Sequence, residues 1–362
     1  MGLATFSLLR QWGLSPLPAK ELFCIAGPCA AESEEQIFSA AEALKTLGVS
    51  AFRAGAWKPR TRPGSFEGRG VETLRWLAEV KSRFGLPIAT EVATPTHVEQ
   101  ALANGIDILW IGARTTANPF LVQELANALK GTDAIVMVKN PISPELNLWI
   151  GAIERIMNAD ITRCAAILRG FSSPFAAQLR NEPGWHAAID LRQRMPLIPL
   201  FCDPSHIAGR RDKLLPLSQQ ALNLDFDGIM VEVHPNPDAA LSDSKQQLTP
   251  ADFNTLLSNL QTRLRNATPD DEIRMRALRA RIDELDSELL VTIAKRMDAA
   301  AKLGLLKREQ NLTVLQSQRW TQVLEQMREQ GAALGLPSDM VDEIAVILHR
   351  HAIGLQQEIL EK

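Results

Sequence analysis

Up to about residue 265, short apolar, β-rich runs alternate with longer amphipathic stretches. Eight strands are predicted, at 22–26, 49–53, 87–91, 108–111, 134–139, 164–168, 198–202 and 228–233. Each is nearly continuous in apolar residues, as parallel strands buried on both faces must be. Helical patterns lie between them at 34–47, 71–84, 96–103, 120–129 and 216–221. Eight βα units in one uninterrupted series predict a closed (β/α)8 TIM barrel rather than an open sheet, an α/β class fold.

The pattern changes at the polar, Pro-containing stretch 265–271, beyond which no strand signal remains. Ile273, Leu278, Ile282, Leu285, Leu289, Ile293 and Met297 recur at helical spacing. With neither Gly nor Pro across 272–303, one helix of roughly 45 Å is expected. Two more are expected at 317–330 and 338–361, after the stop signal Gly335-Leu-Pro337 and with Ser338 as N-cap. The expected organisation is a barrel at 1–265, a linker at 266–271 and an all-α module at 272–362. A module dominated by one long helix cannot bury its apolar stripe alone, so it should pair with a second copy.

Composition narrows this little. The 362 residues are 46% hydrophobic and 22% charged, ordinary for a folded protein. A net charge of −3 gives no electrostatic footprint for nucleic acid or anionic lipid. No run approaches a membrane span, the N-terminus lacks a signal-peptide pattern, and four cysteines make no disulfide framework. A cytoplasmic protein is expected.

Candidate chemistry sits at the strand ends, where such barrels place their catalytic groups. Cys29, His206, Glu232 and Asp243 offer one thiolate, one imidazole and two carboxylates. That set suits Mn, Fe, Co or Zn and disfavours Mg or Ca. Arg53, Lys58, Arg60, Arg114, Lys139 and Arg169 would repel one another at a single barrel mouth unless they bind polyanions, whose oxygens match Arg forks. Glu91 ends the third strand. Cys24, Cys164 and Cys202 fall inside strands and are expected in the core; His97 and His186 carry weaker cases, and His234 lies near the metal set in sequence.

Several segments together are very specific. Ile25-Ala-Gly-Pro-Cys29, Lys58-Pro59-Arg60-Thr61, Ala89-Thr-Glu91, Ile111-Gly-Ala-Arg114, Leu168-Arg-Gly170, Asp203-Pro-Ser-His206 and the strand leading through Glu232 to Pro235 resemble the type I DAHP synthases, best the Iβ subgroup. The resemblance implies condensation of phosphoenolpyruvate with erythrose 4-phosphate and water. Arg53, Lys58, Arg114, Lys139 and Arg169 would grip phosphoenolpyruvate. Lys58, Pro59, Arg60 and Thr61 would hold erythrose 4-phosphate, with Lys58 as proton donor and Glu91 positioning water. The metal, with Mn foremost, would be a Lewis acid. The sister family that makes KDO8P carries Asn-Arg after the Lys instead. Asn140-Pro141 and Leu168 depart from the common pattern of Arg-Gly and Glu and put the local loop geometry in question.

In the tail, Ala277-Leu-Arg279 through Asp286, with Arg296 and Lys307 downstream, resembles the AroQ-type chorismate mutases. That implies an intertwined homodimer in which Arg279 reaches the partner's site, while Arg296, Lys307 and Gln356 act at home on chorismate, with Arg319 nearby. Trp320 and Ala352 stand where Glu and Ser are common. The alternative is a synthase with a non-catalytic helical module for dimerisation and ligand sensing. Prephenate is the expected feedback inhibitor.

Overall fold

The computed structural model describes residues 2–18, 20–59, 64–173, 179–263 and 269–361. Arg60 and Thr61, and the side chain of Ile273, lie outside the described residues. The chain divides into two compact units, residues 1–265 and 266–362.

In the first unit the strands are β1 (Phe23–Gly27), β2 (Ala51–Arg53), β3 (Ile88–Val92), β4 (Ile108–Ile111), β5 (Ile135–Lys139), β6 (Cys164–Leu168), β7 (Leu200–Cys202) and β8 (Gly228–Glu232). They pair in sequence order, all parallel, and β8 closes on β1 with Gly27 opposite Glu232. Helices α1 (Gly2–Gln11), α2 (Glu34–Thr46), α3 (Val71–Phe84), α4 (Pro95–Ala103), α5 (Ala113–Thr116), α6 (Pro119–Leu129), α7 (Leu146–Met157), α8 (Trp185–Arg194), α9 (Pro204–Ala208), α10 (Leu214–Asn223) and α11 (Pro250–Asn259) complete the unit. The predicted strands agree in place, although β2 and β7 are each two residues shorter at their starts.

The period of two along each strand separates two cores. Inward residues Phe23, Ile25, Ala89, Trp110, Met137, Ile167, Phe201 and Met230 fill the barrel. Outward residues, among them Cys24, Cys164, Cys202 and Leu168, pack in the layer shared with the helices. Two further steps along the inward rows arrive at Arg53, Glu91, Gly112, Lys139, Arg169, Asp203 and Glu232. The alternation that packs the barrel therefore also aims the functional side chains into its mouth.

The sequence pattern gave no sign of α1. Its Phe6 and Leu9, with Leu14 beyond, join the interior cluster around Phe23, and Thr5 Oγ1 donates to Asp227 Oδ1 at 2.6 Å. The helix covers apolar side chains that the barrel would otherwise leave open.

The second unit is α12 (Pro269–Glu309), α13 (Ser317–Ala333) and α14 (Ser338–Leu360). Helix α12 is longer than expected in both directions: it includes 269–271, assigned above to the linker, and continues through Gly304. Ser338 is the first helical residue of α14 rather than its cap; that position belongs to Pro337, which supplies no side-chain bond. No described helix is long and apolar enough to cross a membrane.

Candidate functional site

At the mouth of the barrel a cavity of 340 Å³ is lined by Lys58, Pro59, Glu91, Gly112, Arg114, Lys139, Arg169, Arg180, Asn181, His206 and Asp243. Eight of the expected residues, Lys58, Pro59, Glu91, Arg114, Lys139, Arg169, His206 and Asp243, meet there. Arg53 does not line it. Fully buried, it donates from Nη2 to Glu232 at 3.3 Å, and its guanidinium lies 4.8 Å from the Trp110 ring centre. Its Nε and Nη1 have no hydrogen-bond partner among the described residues.

Cys29, Glu232 and Asp243 come together with one ligand atom each, all within 4.8 Å of one another. Cys29 Sγ donates to Asp243 Oδ2 at 3.2 Å. His206 lies beside them, Nε2 3.8 Å from Glu232 and Nδ1 2.8 Å from Asp203. Burial lowers the His206 pKa against the pull of Asp203 and Glu232, a shift toward the neutral imidazole that a cation needs. Burial, reinforced by the Glu232 charge, pushes the Cys29 thiol up to about 12. A bound cation reverses this, since a coordinating thiol loses its proton. One soft and several hard donors around a common point, with acidic groups outnumbering the protons they hold, fit a divalent transition metal.

The cations are arranged by depth. Lys58 Nζ donates to the Cys29 carbonyl at 3.2 Å. Burial alone would lower its pKa, but Cys29, Glu232 and Glu91 raise it above the ordinary lysine value. Lys139, buried, pairs with Asp203 at 2.7 Å; burial dominates and lowers its pKa. For Arg169, burial and the nearby Arg180 and Arg114 charges bring the value down to about 10 despite Asp203. The Lys139 and Arg169 shifts describe positive charges crowded in a desolvated place, which an anion would relieve.

Supporting contacts fix the loops. Gln246 donates to Glu232 at 2.7 Å, and Gln247 accepts from the Cys29 amide at 2.9 Å. Asp243 itself takes a left-handed backbone, φ 50°. Trp110 Nε1 donates to Glu91 at 3.1 Å. A Cβ on Gly112 would strike the Glu91 carboxylate, so a larger residue there must push that side chain aside. The two departures in sequence prove mild. Asn140 donates to the Gly170 carbonyl at 2.9 Å and accepts from the Arg169 amide at 2.7 Å, tying two strand ends together. Leu168 faces the outer layer, away from the cavity.

Sequence reasoning missed Arg180. From the β6–α8 loop it donates to Asp243 at 3.0 Å and to Gln246 at 2.8 Å. It lies twelve residues beyond β6, so strand-end counting could not reach it. His234 is buried 3.6 Å from Glu32 and stands outside the ligand cluster. His97 stacks on Trp57, centroids 3.9 Å apart.

In the helical unit, Arg296, Lys307, Gln316, Arg319, Trp320, His349, Ala352 and Gln356 line a cavity of 360 Å³. Lys307 donates to Gln356 Oε1 at 3.1 Å and to the Val314 carbonyl at 2.6 Å. Arg279 is not among the lining residues; its side chain is 65% exposed, near Glu272.

Residues 19–266 match the family model described as DAHP synthetase I family. The chain belongs to that family. Residues 278–357 match chorismate mutase type II, so both activities reside in one polypeptide. The barrel is 35% identical to a phospho-2-dehydro-3-deoxyheptonate aldolase of Thermotoga maritima over 66% of this chain and 68% of that one. It is 29% identical to a 2-dehydro-3-deoxyphosphooctonate aldolase of Geobacter metallireducens over 67% and 92%. The crystal structure of the Thermotoga maritima DAHP synthase superposes with a TM-score of 0.60 at 33% identity, covering 66% of this chain and 67% of that chain. The family is generally metal-dependent.

Proposed function

We propose that the barrel mouth condenses phosphoenolpyruvate with erythrose 4-phosphate, and that the observation carrying this reading is the shared wall of the cavity. Lys58, Arg114, Lys139 and Arg169 line it together with His206 and Asp243. Two phosphorylated substrates need such an excess of cations, and a carbonyl to be attacked needs the donor cluster beside them.

Arg114, Lys139 and Arg169 bind the phosphate and carboxylate of phosphoenolpyruvate, and the unpartnered donors of Arg53 back them from below. Lys58, with Pro59, Arg60 and Thr61, receives erythrose 4-phosphate. Cys29, His206, Glu232 and Asp243 hold the metal, with Mn as first choice over Fe, Co or Zn. When bound, it supplies Lewis acidity at the aldehyde oxygen. Carbon 3 of phosphoenolpyruvate attacks the aldehyde carbon, and water adds at carbon 2 before phosphate departs. Lys58, kept protonated by its acidic neighbours, gives its Nζ proton to the new alkoxide. Glu91 orients the water.

In the tail, Arg296, Lys307 and Gln356 hold chorismate as a compact dianion, and Lys307 and Gln356 stabilise charge growing on the ether oxygen. Such a rearrangement is unimolecular and needs no nucleophile. Arg279 serves the partner's cavity. A homodimer is supported by the apolar row on α12, where Leu278, Ile282 and Leu289 are 67%, 56% and 57% exposed. Prephenate, the product of this domain, is the feedback ligand for the barrel. We take residues 1–265 and 272–362 as the working domains of a cytoplasmic enzyme.

A coupled assay of both reactions, with and without prephenate, tests the whole reading. Condensation without chorismate turnover would leave a synthase with a sensing module; turnover of arabinose 5-phosphate in preference to erythrose 4-phosphate would overturn the substrate assignment.

A further inference from the structure

Trp320 on α13 and His349 on α14 stack face to face, ring centroids 4.0 Å apart and planes 13° from parallel. Both belong to the wall of the helical cavity, and both also border a depression on its other side with Val346 and Gln357. The stacked pair is thus a partition across the junction of two helices. Its Trp320 stands where Glu is common in the family that the tail resembles.

The charged residues lining the two depressions that His349 borders are all of one sign. Helix α12 presents Arg296 and Lys307, α13 presents Arg319, and Arg350 follows on α14 itself. No carboxylate lines the cavity among the described residues. Arg296 donates to the Leu348 carbonyl at 3.2 Å, which anchors that cation one residue from the imidazole. Burial, then Arg296 and Lys307, lowers the His349 pKa, so the ring is neutral while the cavity is empty. A dianion seated between Arg296 and Lys307 cancels the repulsion that keeps the proton off. The indole face of Trp320 then supports the imidazolium that forms.

We propose that His349, stacked on Trp320, is a specificity-determining group of the mutase cavity that gains a proton as a dicarboxylate enters and completes the clamp as its last cation. This rests on the mutase reading of the tail. By linkage, a ligand that favours protonation must itself bind more tightly when protons are plentiful.

Calorimetric titration of the full-length protein with prephenate, in two buffers of different ionisation enthalpy near neutral pH, reads the proton uptake directly. The native protein should take up a fraction of a proton. His349→Phe, which keeps a stacking ring and cannot titrate, should bind with none, and His349→Gln should behave alike. The KM for chorismate should fall on the order of tenfold from about pH 8 to about pH 6 in the native protein and stay flat in both variants, with kcat changing less. Binding without proton uptake, or uptake that survives both substitutions, overturns the proposal and leaves the mutase reading intact. A native protein that neither binds prephenate nor consumes chorismate overturns that reading, and the proposal with it.

Discussion

Arg180 Nη1 lies 3.0 Å from Asp243 Oδ1, so a loop residue after β6 holds a carboxylate that follows β8. Burial alone would raise the Asp243 carboxyl, but His206, Arg180 and Lys58 together hold it well below the usual carboxylate range. Arg180→Ala should therefore raise the metal concentration needed for half-maximal condensation by roughly 10–100-fold, the usual cost of losing a group that orients a ligand. Titrating metal into chelator-treated protein measures it. An unchanged requirement would reduce Arg180 to a surface pair.

Chelation separates the two reactions. EDTA should abolish condensation, Mn should restore it, and chorismate turnover should persist throughout, because among the described residues no cluster of metal-ligating side chains lies in the helical cavity. Cys29→Ala should lose metal in equilibrium dialysis. Cys164→Ala, on the outer face of β6, should retain metal and cost only about 1 kcal/mol of stability.

A methyl group at Gly112 should displace the Glu91 carboxylate it would strike. Gly112→Ala is expected to reduce kcat for condensation roughly a hundredfold if Glu91 handles the water, while thermal unfolding shifts modestly. The backbone there, φ −71°, is open to any residue. An active variant would remove Glu91 from the chemistry.

His97 supplies a pH dependence of stability. Its Nδ1 accepts from the Ala93 amide at 3.3 Å, and burial lowers its pKa even though Glu91 opposes this. The folded state thus binds the proton less readily than the unfolded chain. The resulting stability is complete above the unfolded value of about 6.5 and declines as pH falls through the lower folded value. Melting curves of the native protein should therefore lose more Tm between roughly pH 7 and pH 5 than those of His97→Asn, whose side chain does not titrate. Equal losses would assign the acid sensitivity elsewhere.

Sharing of Arg279 across a dimer can be tested by complementation. Arg279→Ala and Arg296→Ala should each be inactive as mutases. Equal mixing after dissociation should recover about a quarter of native activity, because half of the twofold dimers are mixed and each rebuilds one of two sites. No recovery would place both arginines in one chain's cavity.

Much of the barrel was legible because parallel strands buried on both faces write themselves as continuous apolar runs, and because their inward rows end at chemistry-bearing residues. Glu91, Lys139 and Glu232 each follow an apolar inward residue by two positions, a spacing that survives in one dimension. Arg180 and the α1 plug were not legible, because each acquires meaning only from a surface supplied by distant segments. The same holds for Arg53: its strand-end position was plain, but its burial against Trp110 and Glu232 depends on three strands closing around it.

By itself the sequence determined a closed α/β barrel and a helical tail, the residue types gathered at the barrel mouth and the two families they resemble, since periodicity and short motifs are local properties. Only the tertiary structure decided which of those residues share a cavity, that Asn140 secures the loop its departure put in question, and that Trp320 faces His349 across two helices. Those relations depend on distances between residues far apart in the chain, and closure of the barrel and packing of the helices set them.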